Sequence, residues 1–309
     1  MRKRKLIIGT RGSALALWQA KHIKTELLKR NETLKVEIKI IKTTGDKILD
    51  VALSKIGDKG LFTKELENEL LSGSIDLAVH SLKDLQTIIP KGLKLAAVTK
   101  RHAVNDVLIA REKGIGLQEL KENAIIATGS LRRKSQILHI RPDFRVVELR
   151  GNVPTRIEKF LESGWDAIIL AQAGVERLGL KKYISSYIPL EQILPAVGQG
   201  ALGIEISENN DLALDAVLTL NDDKTLKEVS AERSLMRKLE GGCQVPIGAF
   251  GELKGNGLYL SAFVGSVDGS LGFKAKARGE QKNPEGLGTL MAKALVKAGA
   301  KEILDELRK

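Results

Sequence analysis

Short apolar runs alternate with segments of helical periodicity through the first two thirds of this 309-residue chain. The strand-like runs lie at 6–9, 34–41, 76–80, 93–98, 107–110, 125–128, 146–149 and 167–170, and the helix-like segments lie at 15–28, 131–140 and 155–162. Strands that are apolar on both faces and alternate with helices are typical of parallel or mixed sheets covered by helices on each side. The pattern therefore predicts an α/β fold.

Two breaks interrupt this alternation, at 99–105 and at 195–200, and one more strand-like stretch, 202–206, follows the second break. We interpret the breaks as paired crossovers between two α/β domains, with the late strand returning to the first domain. A charged helix at 224–239, three strand-like stretches with Gly-rich turns and a last helix at 285–307 predict a small α+β domain with a three-stranded antiparallel sheet. The predicted domains are 1–99 with 201–220, then 105–195, then 222–309.

The charge balance favours an anionic partner, because 50 Lys and Arg residues exceed 38 Asp and Glu residues and give a net charge of +12. Aromatic residues make up only 4% of the chain and do not alternate with basic residues, which argues against a nucleic-acid partner. The apolar run 6–9 is too short for a signal peptide, and no segment is long enough to span a membrane. We expect a cytoplasmic protein without a membrane partner.

Several common motifs are absent from the sequence. It contains no G-x-x-x-x-G-K-[ST], no G-x-G-x-x-G after a strand, no H-E-x-x-H and no C-x-x-C. The four histidines, His22, His80, His102 and His139, have no metal-ligand spacing. Nucleotide chemistry and metal chemistry therefore have no support, and we expect no metal.

Cys243 is the only cysteine, and it lies in the Gly-rich segment 240–248. A single thiol cannot form an intramolecular disulfide or a multi-thiolate zinc site. Three uses remain open for it: inert packing, nucleophilic catalysis and permanent attachment of a prosthetic group.

Arginines recur where predicted strands meet predicted helices, at Arg11, Arg132, Arg133, Arg150, Arg156 and Arg177. The carboxyl ends of the strands in an open α/β sheet line the ligand crevice, so these side chains would converge there. Arg132 and Arg133 fall in the first turn of a predicted helix, where the helix dipole disfavours positive charge. A bound anion would relieve that conflict. The alternative interpretation is a solvated basic surface.

Two further segments are candidates for a role at that crevice. The stretch 79–85 places Lys83 and Asp84 just after a predicted strand, and Asp84 could stabilise a developing cation or move a proton, although a surface ion pair is an equal alternative. His80 by itself indicates a structural histidine. The Gly-rich segment 45–60, followed by Phe62, is either a mobile lid or a surface loop.

Taken together, these motifs closely resemble the porphobilinogen deaminase family, also called hydroxymethylbilane synthase. The resemblance covers nearly the whole chain, and it rests on the order and spacing of segments 9–17, 42–46, 80–85, 130–133, 149–156, 173–177, 195–200 and 240–246. It implies two domains related to periplasmic binding proteins and a third domain that carries the cysteine. It also implies a monomer and a dipyrromethane cofactor joined to Cys243 through a thioether.

The implied reaction is the deaminative condensation of four porphobilinogen molecules onto that cofactor, followed by release of linear hydroxymethylbilane by water. The resemblance makes Asp84 the catalytic residue. The implied cofactor-side residues are Lys83, Thr128, Ser130, Arg132 and Arg133. The implied substrate-side residues are Arg11, Ser13, Gln19, Arg150, Arg156 and Arg177, and the implied lid or crevice residues are Asp46, Phe62 and Gln199.

Three positions depart from the family pattern. Gln86 replaces a common proline, Gly129 replaces a common hydroxyl residue, and the hinge 99–106 lacks a proline. Three alternatives stay open beside the resemblance. A non-catalytic anion-binding protein would tolerate Asp84→Asn, a thiol-dependent enzyme would need a base near Cys243, and a nucleic-acid-binding protein would lose affinity steeply with salt.

Overall fold

The structure is a computed structural model that describes residues 5–47, 60, 63–240 and 245–307. These residues divide into two compact units. The first unit contains the described residues up to 102 together with 201–226, and the second contains 103–200 together with the described residues from 227 onward.

The described strands and helices follow the predicted alternation closely. The strands are β1 (Lys5–Thr10), β2 (Lys35–Ile40), β3 (Leu77–Ser81), β4 (Leu93–Val98), β5 (Asp106–Ala110), β6 (Ile125–Ala127), β7 (Arg145–Val147), β8 (Ala167–Ala171), β9 (Ser186–Tyr187), β10 (Leu202–Ser207), β11 (Ile247–Lys254), β12 (Gly257–Gly265) and β13 (Gly272–Glu280). The helices are α1 (Ala14–Arg30), α2 (Thr44–Lys47), α3 (Lys64–Leu71), α4 (Leu131–Ile140), α5 (Val153–Glu162), α6 (Gln172–Arg177), α7 (Asp211–Leu218), α8 (Asp223–Lys238), α9 (Pro284–Leu295) and α10 (Lys301–Glu306).

The first unit contains a mixed five-stranded sheet in the order β2-β1-β3-β10-β4. Strand β1 runs parallel to β2 and β3, and β10 runs antiparallel to β3 and β4. Alternation along β3 sends Leu77 and Val79 to the face that carries α1 and α7, and Ala78 to the face that carries α3. Both faces are therefore buried, as the apolar runs predict.

The second unit repeats this arrangement with different segments. Its sheet has the order β7-β6-β8-β5-β9, with β6 parallel to β7 and β8, and β5 antiparallel to β8 and β9. Ile137 of α4 belongs to the core on one face, and Ile157 and Phe160 of α5 belong to the core on the other. In each sheet, the strand that runs antiparallel to both of its neighbours follows a predicted crossover: β5 comes after 99–105, and β10 comes after 195–200. The predicted fold class is confirmed.

Strands β11, β12 and β13 form an antiparallel sheet of their own, and its core is closed by α8 and α9. Glu232 of α8 is buried, and its carboxylate accepts backbone hydrogen bonds from Gly198 at 2.7 Å and from Gly251 at 2.8 Å. This sheet shares one compact unit with the second α/β sheet. The three predicted domain boundaries stay a prediction.

The predicted last helix, 285–307, is interrupted in the structure. Helix α9 ends at Leu295, a π-helical turn follows over Val296–Ala300, and α10 begins at Lys301. Gly299 has a φ of 111°, which no continuous helix contains and which glycine adopts without steric cost. The break at Gly299 therefore divides the segment into two helices.

Candidate functional site

The first group of predicted site residues lies at one edge of the first sheet. Strands β1 and β3 are parallel neighbours, so their carboxyl ends lie at the same edge. Arg11 follows β1 directly, and Asp84 ends the 3-10 turn Leu82–Asp84 that follows β3. Asp84 is exposed, whereas Leu82 at the start of the turn and Leu85 just after it are buried and anchor it.

The start of α1 contributes Ser13 and Gln19 to the same edge. Ser13 is the N-cap of α1, and its hydroxyl accepts a hydrogen bond from the backbone N–H of Ala16 at 3.3 Å, as serine does at helix starts. Gln19 is buried, and its Nε2 donates to Oγ of Ser81 at 2.7 Å. This hydrogen bond joins the first turns of α1 to the end of β3.

These side chains line a cavity of about 70 Å³ within the first unit. Four predicted residues meet there, namely Arg11, Ser13, Gln19 and Asp84. Three polar residues that the sequence did not assign to the site also line the cavity: Thr63, His80 and Ser81. Lys83 is half-buried in the same 3-10 turn and does not line the cavity. The alternation of side chains along β3, with Ser81 on the α1 face, could have indicated Ser81.

Three of the predicted site residues have no described side chain. Phe62 and Cys243 lie outside the described residues, and so does the side chain of Asp46. Their roles stay predictions from the sequence.

The second group of predicted residues surrounds the start of α4 in the second unit. Thr128 follows β6, and its hydroxyl accepts a hydrogen bond from the backbone N–H of Ser130 at 3.3 Å. Ser130 is the N-cap of α4, and its hydroxyl accepts from the backbone N–H of Arg133 at 3.4 Å. The predicted helix start at Ser130 is thus observed.

Both arginines in the first turn of α4 are buried and bind one carboxylate. Arg132 Nη2 lies 2.8 Å from Asp106 Oδ2, and Arg133 Nη2 lies 2.8 Å from Asp106 Oδ1. Each guanidinium also donates to a backbone carbonyl, Arg132 to Leu194 at 2.7 Å and Arg133 to Ile169 at 3.0 Å. Asp106 is 1% exposed.

Electrostatics keeps Asp106 ionised. Burial alone would raise the pKa of the Asp106 carboxyl, but the adjacent Arg132 and Arg133 charges outweigh burial and hold this pKa well below its usual range. Burial lowers the pKa of Arg132, while Asp106 opposes that effect.

The conflict with the dipole of α4 is therefore relieved inside the chain. The sequence predicted a bound anion for this purpose, whereas Asp106 supplies the negative charge in the structure. Two arginines and one aspartate leave one net positive charge in the cluster. Sequence reasoning missed Asp106, although an acidic residue at the first position of an otherwise apolar strand was a usable signal.

Gln199, predicted to be a crevice residue, belongs to this same buried cluster. Its Nε2 lies 2.9 Å from Asp106 Oδ1 and 2.7 Å from the carbonyl oxygen of Val104. Gln199 is 1% exposed. It therefore tethers the second crossover segment to the segment that leads into β5.

The remaining predicted arginines lie on neighbouring segments of the second unit. Arg150 follows β7, Arg156 lies on α5, and both are half-buried. Arg177 ends α6, and its Nη2 donates to the carbonyl oxygen of Gly200 at 2.8 Å. Burial lowers the pKa of the Arg177 guanidinium to about 10. Among the described residues, Nε of Arg132, Nε of Arg133 and Nη1 of Arg150 are buried donors that have no acceptor.

The structure explains one departure from the family pattern. A Cβ built on Gly129 would lie 2.6 Å from the carbonyl oxygen of Leu149 and 3.0 Å from Oε1 of Glu148. The turn before α4 therefore packs against the segment after β7 at a distance that only glycine permits.

The described residues contain no group of three or more His, Cys, Asp or Glu side chains that could hold a metal ion. None of the helices they form has both the length and the apolar character that crossing a bilayer requires.

The fold and the two groups of site residues define a class of protein. Its members have two mixed α/β sheets and a C-terminal antiparallel sheet, and they carry cationic and acidic groups at the strand ends. Comparison with known families makes the assignment specific. Residues 6–215 match the family described as porphobilinogen deaminase, dipyromethane cofactor binding domain, and residues 226–297 match the porphobilinogen deaminase C-terminal domain. The chain belongs to the porphobilinogen deaminase family.

Curated relatives extend the match over the full length. The chain is 51% identical to porphobilinogen deaminase of Chlorobium phaeobacteroides (strain BS1) over 311 aligned residues, which cover 99% of each protein. It is 47% identical to porphobilinogen deaminase of Carboxydothermus hydrogenoformans over 307 residues, covering 99% of this chain and 98% of the relative.

Solved structures with a similar backbone include a TRAP periplasmic solute binding protein from Desulfovibrio salexigens, with a TM-score of 0.42 and 11% identity over 71% of this chain and 72% of that one. The BenM effector binding domain with benzoate has a TM-score of 0.41 and 14% identity, over 70% of this chain and 91% of that one.

Proposed function

We propose that this chain is a transferase that condenses four porphobilinogen molecules, with loss of ammonia, onto a covalently bound dipyrromethane primer. Water then releases linear hydroxymethylbilane, the precursor of porphyrins and other tetrapyrroles. The observation that carries the proposal is the cavity at the edge of the first sheet, where Asp84 is brought together with Arg11, Ser13 and Gln19. Family membership supplies the reaction in which such a cavity would act.

Asp84 is the residue that we assign to catalysis. Its carboxylate would accept pyrrole N–H groups and stabilise the positive charge that develops on the ring during condensation. Preorganisation supports this role, because Leu82 and Leu85 anchor the 3-10 turn in the core while Asp84 stays exposed at the cavity. Arg11 would bind a carboxylate of porphobilinogen, which carries an acetate and a propionate.

The second cluster suits the primer, whose two rings carry several carboxylates. Arg132, Arg133 and Asp106 together hold one net positive charge, and each arginine has a buried Nε donor without an acceptor among the described residues. Such donors are costly to bury unless an acceptor binds them, and a carboxylate is a suitable acceptor. We assign Arg132, Arg133, Ser130, Thr128 and Lys83 to the cofactor and Arg150, Arg156 and Arg177 to substrate side chains.

Cys243 is the proposed attachment site, through a thioether. The support comes from the sequence, since it is the only cysteine and lies in a segment that the family model for the C-terminal domain covers. When bound, the dipyrromethane supplies the acceptor carbon for the first condensation. The cytoplasmic location and the monomeric state predicted from the sequence stay predictions.

Intact-protein mass spectrometry tests the proposal directly. The purified chain should exceed its sequence mass by one dipyrromethane, and the Cys243→Ser variant should have the unmodified mass. A matched control is Ser266→Ala, which removes a hydroxyl from an exposed turn and should keep the excess mass. If the unsubstituted chain has its plain sequence mass and releases no hydroxymethylbilane from porphobilinogen, the proposal is wrong.

A further inference from the structure

Three titratable side chains that the proposed function does not use are buried together beneath the cavity. Glu67 projects from α3, His80 from β3 and Glu205 from β10, and their exposed fractions are 7%, 6% and 0%. His80 Nε2 lies 3.1 Å from Glu205 Oε2. Buried ionisable groups of this kind are unusual unless they are paired, and they occur often at functional sites.

The position of the cluster follows from the register of the sheet. His80 is two residues from Ala78, so its side chain emerges on the face that α3 covers, and β10 brings Glu205 to the same face opposite Ala78. Of the three residues, His80 also lines the cavity that Asp84 lines. His80 is therefore the member of the cluster that has access both to a buried carboxylate and to the site.

Charged and titratable groups face His80 from three sides. Burial raises the pKa of Glu67 on α3, and the charge of Glu205 raises this pKa further, so Glu67 keeps its proton to higher pH than an ordinary carboxyl. From β10, Oε2 of Glu205 lies within hydrogen-bonding distance of the imidazole. On the cavity side, Arg11 and Asp84 are the charged residues that line the same cavity as His80.

One oxygen of the cluster is left without a partner. Oε1 of Glu205 is buried and accepts no hydrogen bond from the described residues, although Oε2 is bound to His80. A hydrogen bond to a carboxylate is stronger when its donor is charged, and His80 is the side chain that is bound to Glu205 Oε2. This arrangement suits a histidine that transfers protons.

The condensation requires such a proton relay. The C–N bond of the aminomethyl group breaks with its electron pair on nitrogen, and the new C–C bond uses the electron pair of the attacking ring carbon. The nitrogen of the neutral amine takes up one proton as it leaves as ammonia, and the ring carbon loses one proton after the new C–C bond has formed. A group in the site therefore has to give the first proton and take back the second.

We propose that His80, paired with Glu205, is the proton-transfer residue of this cavity, which gives a proton to the departing ammonia and takes one back from the ring carbon. This inference rests on the proposed function. Histidine suits the task because its ordinary pKa is the closest to neutral among the common side chains. Each cycle returns His80 to its starting state, and no other reactant is consumed.

The test compares His80→Gln and Glu205→Gln with the unsubstituted holoenzyme and with His139→Gln. His139 is a histidine in the second unit whose Nδ1 lies 3.0 Å from a backbone carbonyl oxygen, so it matches His80 in residue type, but it is exposed and does not line the cavity. We expect His80→Gln to lower kcat by about 10²-fold or more with KM little changed, and to remove one limb of the pH profile of kcat. Glu205→Gln should displace that limb, and His139→Gln should change neither.

Three measurements distinguish a proton-transfer role of His80 from a loss of folding or of primer. Intact mass and the melting temperature show whether each variant carries the primer and is folded. Ring ¹⁵N shifts, with His80→Gln identifying the signals of His80, show whether the imidazole changes protonation state in the pH range of that limb, without turnover. A folded, loaded His80→Gln variant whose pH profile keeps its shape would overturn the role of His80, whereas the proposed function fails only if the unsubstituted chain lacks primer and activity.

Discussion

Arg133 binds Asp106 at 2.8 Å in a site from which solvent is excluded, and Arg132, the residue before it, binds the other oxygen of the same carboxylate at 2.8 Å. One acidic residue at the start of β5 thus neutralises one of two consecutive buried cations. Because breaking a buried ion pair leaves an uncompensated charge, this carboxylate holds together the start of α4 and the start of β5.

Asp106→Asn should lower the free energy of unfolding by about 3–5 kcal/mol at neutral pH, because it leaves two buried guanidiniums facing each other without an anion. Urea unfolding at about pH 7 measures the loss. The control is Asp143→Asn, which removes an aspartate paired with Arg141 near the surface and should cost much less stability. Equal losses in the two variants would contradict the role that we give to the buried charge.

The raised pKa of Glu67 predicts that the contribution of this side chain to stability falls as the pH rises. A carboxyl whose folded pKa is raised stabilises the folded state at low pH, and this contribution is lost as the pH rises from the unfolded pKa, near 4.3, through the folded pKa. Glu67→Gln, which imitates the protonated form, should therefore gain stability relative to the unsubstituted chain as the pH rises. Urea unfolding of both at about pH 4.5 and about pH 8 measures the difference. A difference that falls with rising pH would show that the sign is wrong.

Asp84→Asn should abolish most turnover without unfolding the chain. Asp84 is exposed, so its loss leaves the core unchanged, but an amide cannot stabilise a developing cation as a carboxylate does. We expect kcat to fall by about 10²-fold or more with the melting temperature nearly unchanged. Single-turnover release of ammonia from porphobilinogen is the measurement, and Asp215→Asn on α7 is the control. Full activity in Asp84→Asn would show that Asp84 is not the catalytic residue.

Arg132→Lys keeps the positive charge but removes the planar guanidinium, which binds two partners through separate nitrogens. A lysine ammonium cannot bind Leu194 and Asp106 with two separate nitrogens, and it has no counterpart of Nε. We expect a loss of about 2 kcal/mol in stability and a smaller fraction of primer-loaded protein by intact mass. Arg145→Lys on the exposed end of β7 should change neither quantity. Normal stability and loading in Arg132→Lys would mean that charge alone is sufficient there.

Sequence reasoning located the elements of the first site because their cause is local. The strand ends at Thr10 and Ser81 follow from apolar runs that stop there, and the parallel arrangement of β1 and β3 then brings Arg11 and Asp84 to one edge. The start of α4 was also predictable, since serine before a helical pattern is a common N-cap. Patterns with a period of two to four residues are sufficient for such assignments.

Long-range pairing was not predictable from those patterns. Asp106 and Arg132 are 26 residues apart, and His80 and Glu205 are 125 residues apart, so no local pattern indicates which acidic residue binds which base. The break in the last helix was missed for another reason. A single glycine within a helical pattern is tolerated, and only the observed φ of 111° distinguishes Gly299 as a break.

Gly129 provides a test of whether the departure from the family's common hydroxyl residue is a packing requirement in this chain. Gly129→Ser would place a Cβ 2.6 Å from the carbonyl oxygen of Leu149, so the backbone before α4 or after β7 must shift. We expect a loss of about 1–3 kcal/mol in stability, as for other overpacked positions. Gly164→Ser is the matched control, because a Cβ there meets no atom within 4 Å and its backbone is not in the left-handed region. If Gly129→Ser is as stable as Gly164→Ser, glycine is not required for the packing at this position. If it also carries more primer, the hydroxyl that this chain lacks contributes to cofactor binding.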